Sequence, residues 1–134
     1  MIDTAGVDQF TSMRDIYWRE GDGFVMVYCI DSKNSFGEMQ EIWRQLTMAR
    51  EEGTFSAVIV GNKCDLEDKR MVATQEGLNL ANSWKTPFFE TSAKKNLYVN
   101  DAFERVISLV IEKKTASKQN AQPESPRRRT CCIL

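Results

Sequence analysis

The chain has 134 residues, of which 42% are hydrophobic and 28% charged; this fits one globular domain and excludes a fibrous or wholly disordered class. The formal net charge of -1 hides an asymmetry, an acidic body against an end where Lys118, Arg127, Arg128 and Arg129 outnumber the one acid, Glu124. Such a split suggests a soluble core whose tail seeks an anionic surface.

In chain order, Met1-Ile2 reads as the end of a strand, and Gly23 to Ile30 is a near-continuous apolar run, the pattern of a parallel strand covered on both faces. Phe36, Met39, Trp43 and Leu46 recur at helical spacing and predict one apolar stripe. Ser56 to Gly61 reads as a second buried strand. A helix is predicted over Ala73 to Trp84, capped by Thr74, with Leu78 and Ala81 facing inward. Pro87 to Thr91 follows as a short strand. Val99, Ala102, Phe103, Val106, Ile107 and Val110 then mark a long amphipathic helix, with Asp101 in its first turn where the helix dipole favours an acid. From Thr115 the apolar period stops, and residues 115–134 read as a flexible basic tail after a body over 1–114.

The four cysteines form no C-x-x-C and the chain has no histidine, so neither a zinc site nor a disulfide framework is expected. With no secretory signal and no apolar stretch of membrane-spanning length, the sequence reads as cytosolic. The body lacks a basic face with interleaved aromatics, and nucleic acid is not an expected partner.

Four short stretches carry the chemistry: Asp3-Thr4-Ala5-Gly6, Asn62-Lys63-Cys64-Asp65, Thr91-Ser92-Ala93-Lys94 and Cys131-Cys132-Ile133-Leu134. Together they resemble the Ras-type small GTPases. A chance N-K-x-D in a chain this long has a probability on the order of 1%, and this one follows a buried strand. The resemblance implies that the Asp65 carboxylate accepts from N1–H and the 2-amino group of guanine. Adenine offers neither donor, and sites of this kind discriminate by roughly 10⁴ or more. It further implies that Asn62 ties the base loop to its neighbours, that the stem of Lys63 lies over the base, and that the backbone of Ala93, beside Ser92, donates to guanine O6. Lys94 would cover the other face.

Asp3-Thr4-Ala5-Gly6 matches the family's D-x-x-G, in which Asp3 holds Mg²⁺ through a water and Gly6 donates to the γ-phosphate of GTP. The next position, which usually carries the glutamine that orients the attacking water, is Val7. The side chain of Val7 makes no hydrogen bond, so no catalytic residue is assigned and slow hydrolysis is expected. The glycines stand at 6, 21, 23, 37, 53, 61 and 77, and no phosphate-gripping G-x-x-x-x-G-K-[ST] can be built from them.

The last four residues match a C-a-a-X box whose terminal leucine favours a geranylgeranyl group on Cys131. One lipid chain binds membranes marginally, and Arg127-Arg128-Arg129 supplies the second signal.

The expected fold is therefore α/β, a partial Ras-like domain with a mostly parallel sheet, flanking helices and a flexible tail. The family's first strand, P-loop, first switch loop and second strand are not among these residues, so the chain reads as part of a longer product. In the family sheet the first strand would lie beside the run Gly23 to Ile30, which leaves that edge open. The function implied is a GTP/GDP switch in membrane-associated signalling, with impaired nucleotide binding. Its partners would be guanine nucleotide, a prenyltransferase, exchange factors, effectors and an anionic membrane surface. It would be cytosolic before prenylation and then lipid-anchored on a cytoplasmic membrane face. The alternative is a lipid-anchored interaction module, or an interfering fragment of a longer GTPase, that works without nucleotide.

Overall fold

The computed structural model describes residues 2–4, 11–50, 54–118 and 130–133. Its strands are β1 (Ile2–Thr4), β2 (Gly23–Cys29), β3 (Ser56–Asn62), β4 (Phe88–Glu90) and β5 (Thr130–Ile133), all parallel in one sheet of order β1-β5-β2-β3-β4. The helices are α1 (Thr11–Glu20), α2 (Lys33–Ala49), α3 (Thr74–Ser83) and α4 (Val99–Lys118). This is the α/β class that the alternation of strand and helix implies.

β2 and β3 pair from Gly23↔Ser56 to Cys29↔Asn62. Because both strands are covered on both faces, their sequences are apolar without alternation. Phe24, Met26, Tyr28 and Ile59 face a core closed by Trp18 of α1, Met39 and Leu46 of α2 and Ala81 of α3. Val25, Val58 and Val60 face the opposite layer, where Ala102 and Val106 of α4 cover them. The stripe on α2 is the predicted one, with Met39 and Leu46 buried and Phe36 and Trp43 packed against the core. Ser32 caps that helix by accepting from the Ser35 amide at 3.2 Å.

Arg50, just past α2, turns its guanidinium to the end of α1 and donates to the carbonyls of Gly21 and of Trp18, the latter at 3.2 Å. A cation there satisfies orphan carbonyls and complements the helix dipole. The end of α4 is fixed to the start of β2. Lys114 donates to Asp22 at 2.7 Å, and a Cβ on Gly23 would meet Val110 Cγ2 at 2.7 Å, so glycine is needed for the helix to lie this close.

Several expectations change. Thr115 does not begin an unstructured stretch: α4 continues to Lys118. Thr115 and Ser117 bond back to the carbonyls of Ile111 and Lys113 at 2.8 and 2.9 Å, and an exposed last turn needs no apolar face. The edge expected to be open beside Gly23 to Ile30 is filled by β5, which pairs with β2 from Gly23↔Thr130 to Met26↔Ile133 and with β1 on its other side. A β-branched and apolar tetrapeptide satisfies backbone groups that β2 would otherwise leave unpaired. Arg127, Arg128 and Arg129 lie outside the described residues.

On α3 the inward positions are Gly77 and Ala81, whereas Leu78 is 40% exposed. Ala73 takes the N-cap position rather than Thr74, and its amide donates to Glu76 Oε2 at 2.8 Å, while the Thr74 hydroxyl donates to Glu90 at 3.0 Å. On α4 the buried line runs through Ala102 and Val106, which turns Ile107 outward.

Candidate functional site

The candidate site lies where β3 and β4 end, at the carboxyl edge at which open parallel sheets bind ligands. Asn62 closes β3, and its side-chain oxygen accepts from the Thr91 hydroxyl at 3.2 Å and from the Ala93 amide at 3.1 Å. One side chain thus ties both loops together. The Cys64 amide donates to the Thr91 carbonyl at 2.9 Å and the Thr91 amide to the Gly61 carbonyl at 2.8 Å, which extends the pairing past the strand ends.

Asp65 faces Ser92, which is fully buried and donates its hydroxyl to Asp65 Oδ1 at 2.5 Å. That bond, with the nearby charges of Lys95 and Lys94 adding to it and desolvation opposing, holds the Asp65 carboxyl below its usual range. At neutral pH the group is therefore an ionised, acceptor-only carboxylate, the state required to receive two N–H donors. Ser92 also accepts from the Lys95 amide at 3.1 Å and pairs with Leu97 across a short turn, so its hydroxyl is fixed from behind.

Lys63 adopts a left-handed φ of 66° and forms an ion pair with Asp31 at 3.1 Å. Its hydrogen bonds with Asp31 raise its pKa, so it stays charged. Burial raises the pKa of the neighbouring Cys64 thiol, which favours its protonated form.

The structure thus brings Asn62, Asp65, Ser92 and Ala93 into one bonded cluster. It leaves Lys94 exposed and aims Lys63 at Asp31. The amide of Ala93 is engaged by Asn62, so donation to a base would have to share or exchange that bond. Asp3 and Thr4 lie in β1; Ala5, Gly6 and Val7 fall outside the described residues. Through β5, Asp3 is level with Val25 and hence with Val58. Three strand spacings of about 4.8 Å separate β1 from β3, so Asp3 and the Asn62 cluster do not meet directly.

Among the described residues no group of three or more His, Cys, Asp or Glu is placed to hold a metal ion. Mg²⁺ is ordinarily held by one or two carboxylates with phosphate and water, so a nucleotide-linked Mg²⁺ needs no such cage.

Two supporting features escape a reading of the sequence. Asp31 follows β2 directly and sits beside the N-K-x-D, yet nothing in its own neighbours marks it as the partner of Lys63. Arg70, only 14% exposed, pairs with Glu90 of β4 at 2.7 Å and with Glu67 at 2.6 Å and donates to the Val72 carbonyl, which fastens the segment after Asp65 to the sheet. Separations of 32 and 20 residues hide both pairs from any local pattern.

Two strand-end loops joined by one asparagine, with an ionised aspartate held by a serine, define a candidate base-binding edge on a parallel α/β sheet. A sequence model of the Ras family matches residues 1–112. The chain belongs to the Ras family, whose members are small GTPases that bind guanine nucleotide together with Mg²⁺.

Proposed function

We propose that this chain carries the base-reading part of a Ras-like guanine-nucleotide switch that works in signalling at a cytoplasmic membrane face. The observation that carries this reading is the Asn62 and Ser92–Asp65 cluster. An ionised carboxylate, fixed from behind, matches the paired N1–H and 2-amino donors of guanine and no edge of adenine. Lys63 and Lys94 would flank the base, and Asp3-Thr4-Ala5-Gly6 would serve the phosphates and Mg²⁺.

Phosphate binding is the weak part of this polypeptide. Most of the affinity of such sites comes from P-loop amides and lysine, and residues 1–134 contain no G-x-x-x-x-G-K-[ST]. Hydrolysis would be slow as well, with Val7 in place of a water-orienting glutamine. Attachment to the membrane would use a geranylgeranyl group on Cys131, added by a prenyltransferase, with the three arginines drawn to anionic lipid. Exchange factors and effectors would be its protein partners.

Equilibrium dialysis of the purified chain against GDP with Mg²⁺ tests the nucleotide part. Binding should be weak; tight, sub-micromolar binding would show that the phosphate contacts are supplied in some other way.

A second reading, a lipid-anchored interaction module that works without nucleotide, is favoured by one feature. Among the described residues the sheet is continuous from β1 to β4 through β5.

A further inference from the structure

We propose that the segment Thr130–Ile133 has two mutually exclusive states, an internal strand of the sheet and a lipidation substrate, so that strand docking controls modification of Cys131. The proposal rests on the prenylation reading above. The observation behind it is the position of β5. It is not appended to an edge but inserted between β1 and β2, and it is paired on both sides. Cys131 is in register with Ile2 on one side and with Phe24 on the other; Cys132 stands between Asp3 and Val25. Phe24, Val25 and Met26, the residues of β2 opposite this segment, are at most 2% exposed.

The topology makes this placement coherent. α4 runs back across the sheet and ends where β2 begins, fixed there by Lys114–Asp22. Thr130 is paired with Gly23, the next residue after Asp22. The chain therefore enters β5 at the same end of the sheet at which α4 leaves it, as a parallel strand requires.

Docking and modification compete for the same backbone. A prenyltransferase binds the C-a-a-X segment as an extended peptide with a free terminal carboxylate, and a strand whose two edges are both hydrogen-bonded cannot enter a second groove. In the transfer itself the Cys131 sulfur bonds to C1 of geranylgeranyl diphosphate as the C–O bond there breaks. Diphosphate leaves with the electron pair, and the thiol proton passes to solvent. This requires the segment to be out of the sheet, so the observed rate scales with the undocked fraction.

The test uses the 134-residue chain, a peptide covering residues 115–134, and Thr130→Pro, which removes the amide of the first residue of the strand, the one paired with β2 alone, and leaves the C-a-a-X box intact. Purified geranylgeranyltransferase and geranylgeranyl diphosphate supply the first readout. The full chain should be modified at least about tenfold more slowly than the peptide, and Thr130→Pro, which weakens one end of the strand, should recover part of the difference. Alkylation by iodoacetamide, followed residue by residue by mass spectrometry, supplies the second. Cys131 and Cys132 should be protected in the full chain and more reactive in Thr130→Pro, with the half-buried Cys29 of β2 reacting at the same rate in both as the control for folding. If Cys29 also becomes reactive, the comparison falls to the unsubstituted chain against the peptide, which still decides. Equal alkylation of Cys131 in those two overturns the docked strand. Protection from alkylation in the full chain, combined with a peptide that the transferase does not modify, overturns the prenylation reading and with it the coupling, and leaves only the docked strand.

Discussion

The Ser92 hydroxyl donates to Oδ1 of Asp65 at 2.5 Å, so two loops 27 residues apart share one charge-assisted bond at the candidate base site. Its first consequence is a pH dependence. The folded-state pKa of Asp65 is lowered chiefly by this bond, whereas the unfolded chain titrates near an ordinary aspartate at about 3.9. The bond therefore contributes stability above the unfolded pKa, and that contribution is lost as pH falls through the lower, folded one. Ser92→Ala should raise the carboxyl pKa of Asp65 and flatten this part of the acid limb. Carbon-13 NMR titration of the carboxyl follows it directly; an unchanged titration would assign the shift to Lys94 and Lys95 instead.

Asn62→Ala should cost about 1–2 kcal/mol in urea unfolding, since the Thr91 hydroxyl and the Ala93 amide lose a shared acceptor but regain water in part. Amide exchange at Ala93 should accelerate. Asn62→Asp keeps an acceptor oxygen and should retain most of that protection.

Gly77→Ala sets two effects against each other. Alanine in a helix interior is ordinarily favoured over glycine by about 1 kcal/mol. Here the new Cβ would meet Phe88 Cζ at 2.6 Å and also the Tyr28 hydroxyl, both in packed positions between α3 and the sheet. Overpacking of this kind costs about 1–3 kcal/mol, so the net effect should be destabilising. A raised Tm would mean that the two rings can move apart.

Supplying the phosphate half tests the base half. In a chain extended at its N-terminus with a G-x-x-x-x-G-K-[ST] segment and its following elements from a Ras family member, Asp65→Asn should shift preference from guanine toward xanthine nucleotides. The amide donates where the carboxylate could only accept. Competition binding with GDP and XDP reads the shift; an unchanged guanine preference would remove Asp65 from base recognition.

A reporter fused ahead of residues 115–134 should partition to cytoplasmic membrane faces, and Cys131→Ser should release it. Replacing Arg127, Arg128 and Arg129 by alanine should weaken binding to anionic vesicles by about 3 kcal/mol, roughly a hundredfold, and reduce its sensitivity to salt. Membrane association that survives Cys131→Ser would exclude the thioether as the anchor.

Strong periodicity makes an element legible in the amino-acid sequence. The apolar run at Gly23 and the stripe Phe36, Met39, Trp43, Leu46 each have one arrangement that buries them. The base cluster is legible as motifs, because Asn62 ends one strand and Ser92 closely follows another. What the sequence hides is set by partners far along the chain. Asp31 acquires its meaning only when β2 and β3 lie side by side, and Glu90 only when Arg70 folds back on it. Leu78 and Ile107 turn outward against expectation because a helical period tolerates a neighbouring apolar residue, and contact with Tyr28, Phe88 and the valines of the sheet decides between candidates. Thr130–Ile133 is β-branched and apolar but too short, at the end of a polar tail, to be read as a strand; its pairing follows from the backbone groups that β2 presents.

The attachment of α4 beside the first residue of β2 also governs how β5 responds to dilution. Lys114–Asp22 holds the helix end next to the entry point of the strand, and residues 119–129 bridge from there to Thr130. A segment tethered so near its own seat experiences an effective concentration on the order of millimolar. Docking in cis is then a unimolecular equilibrium, the same at nanomolar as at micromolar protein. A strand offered by a second molecule would have to approach that millimolar level to compete.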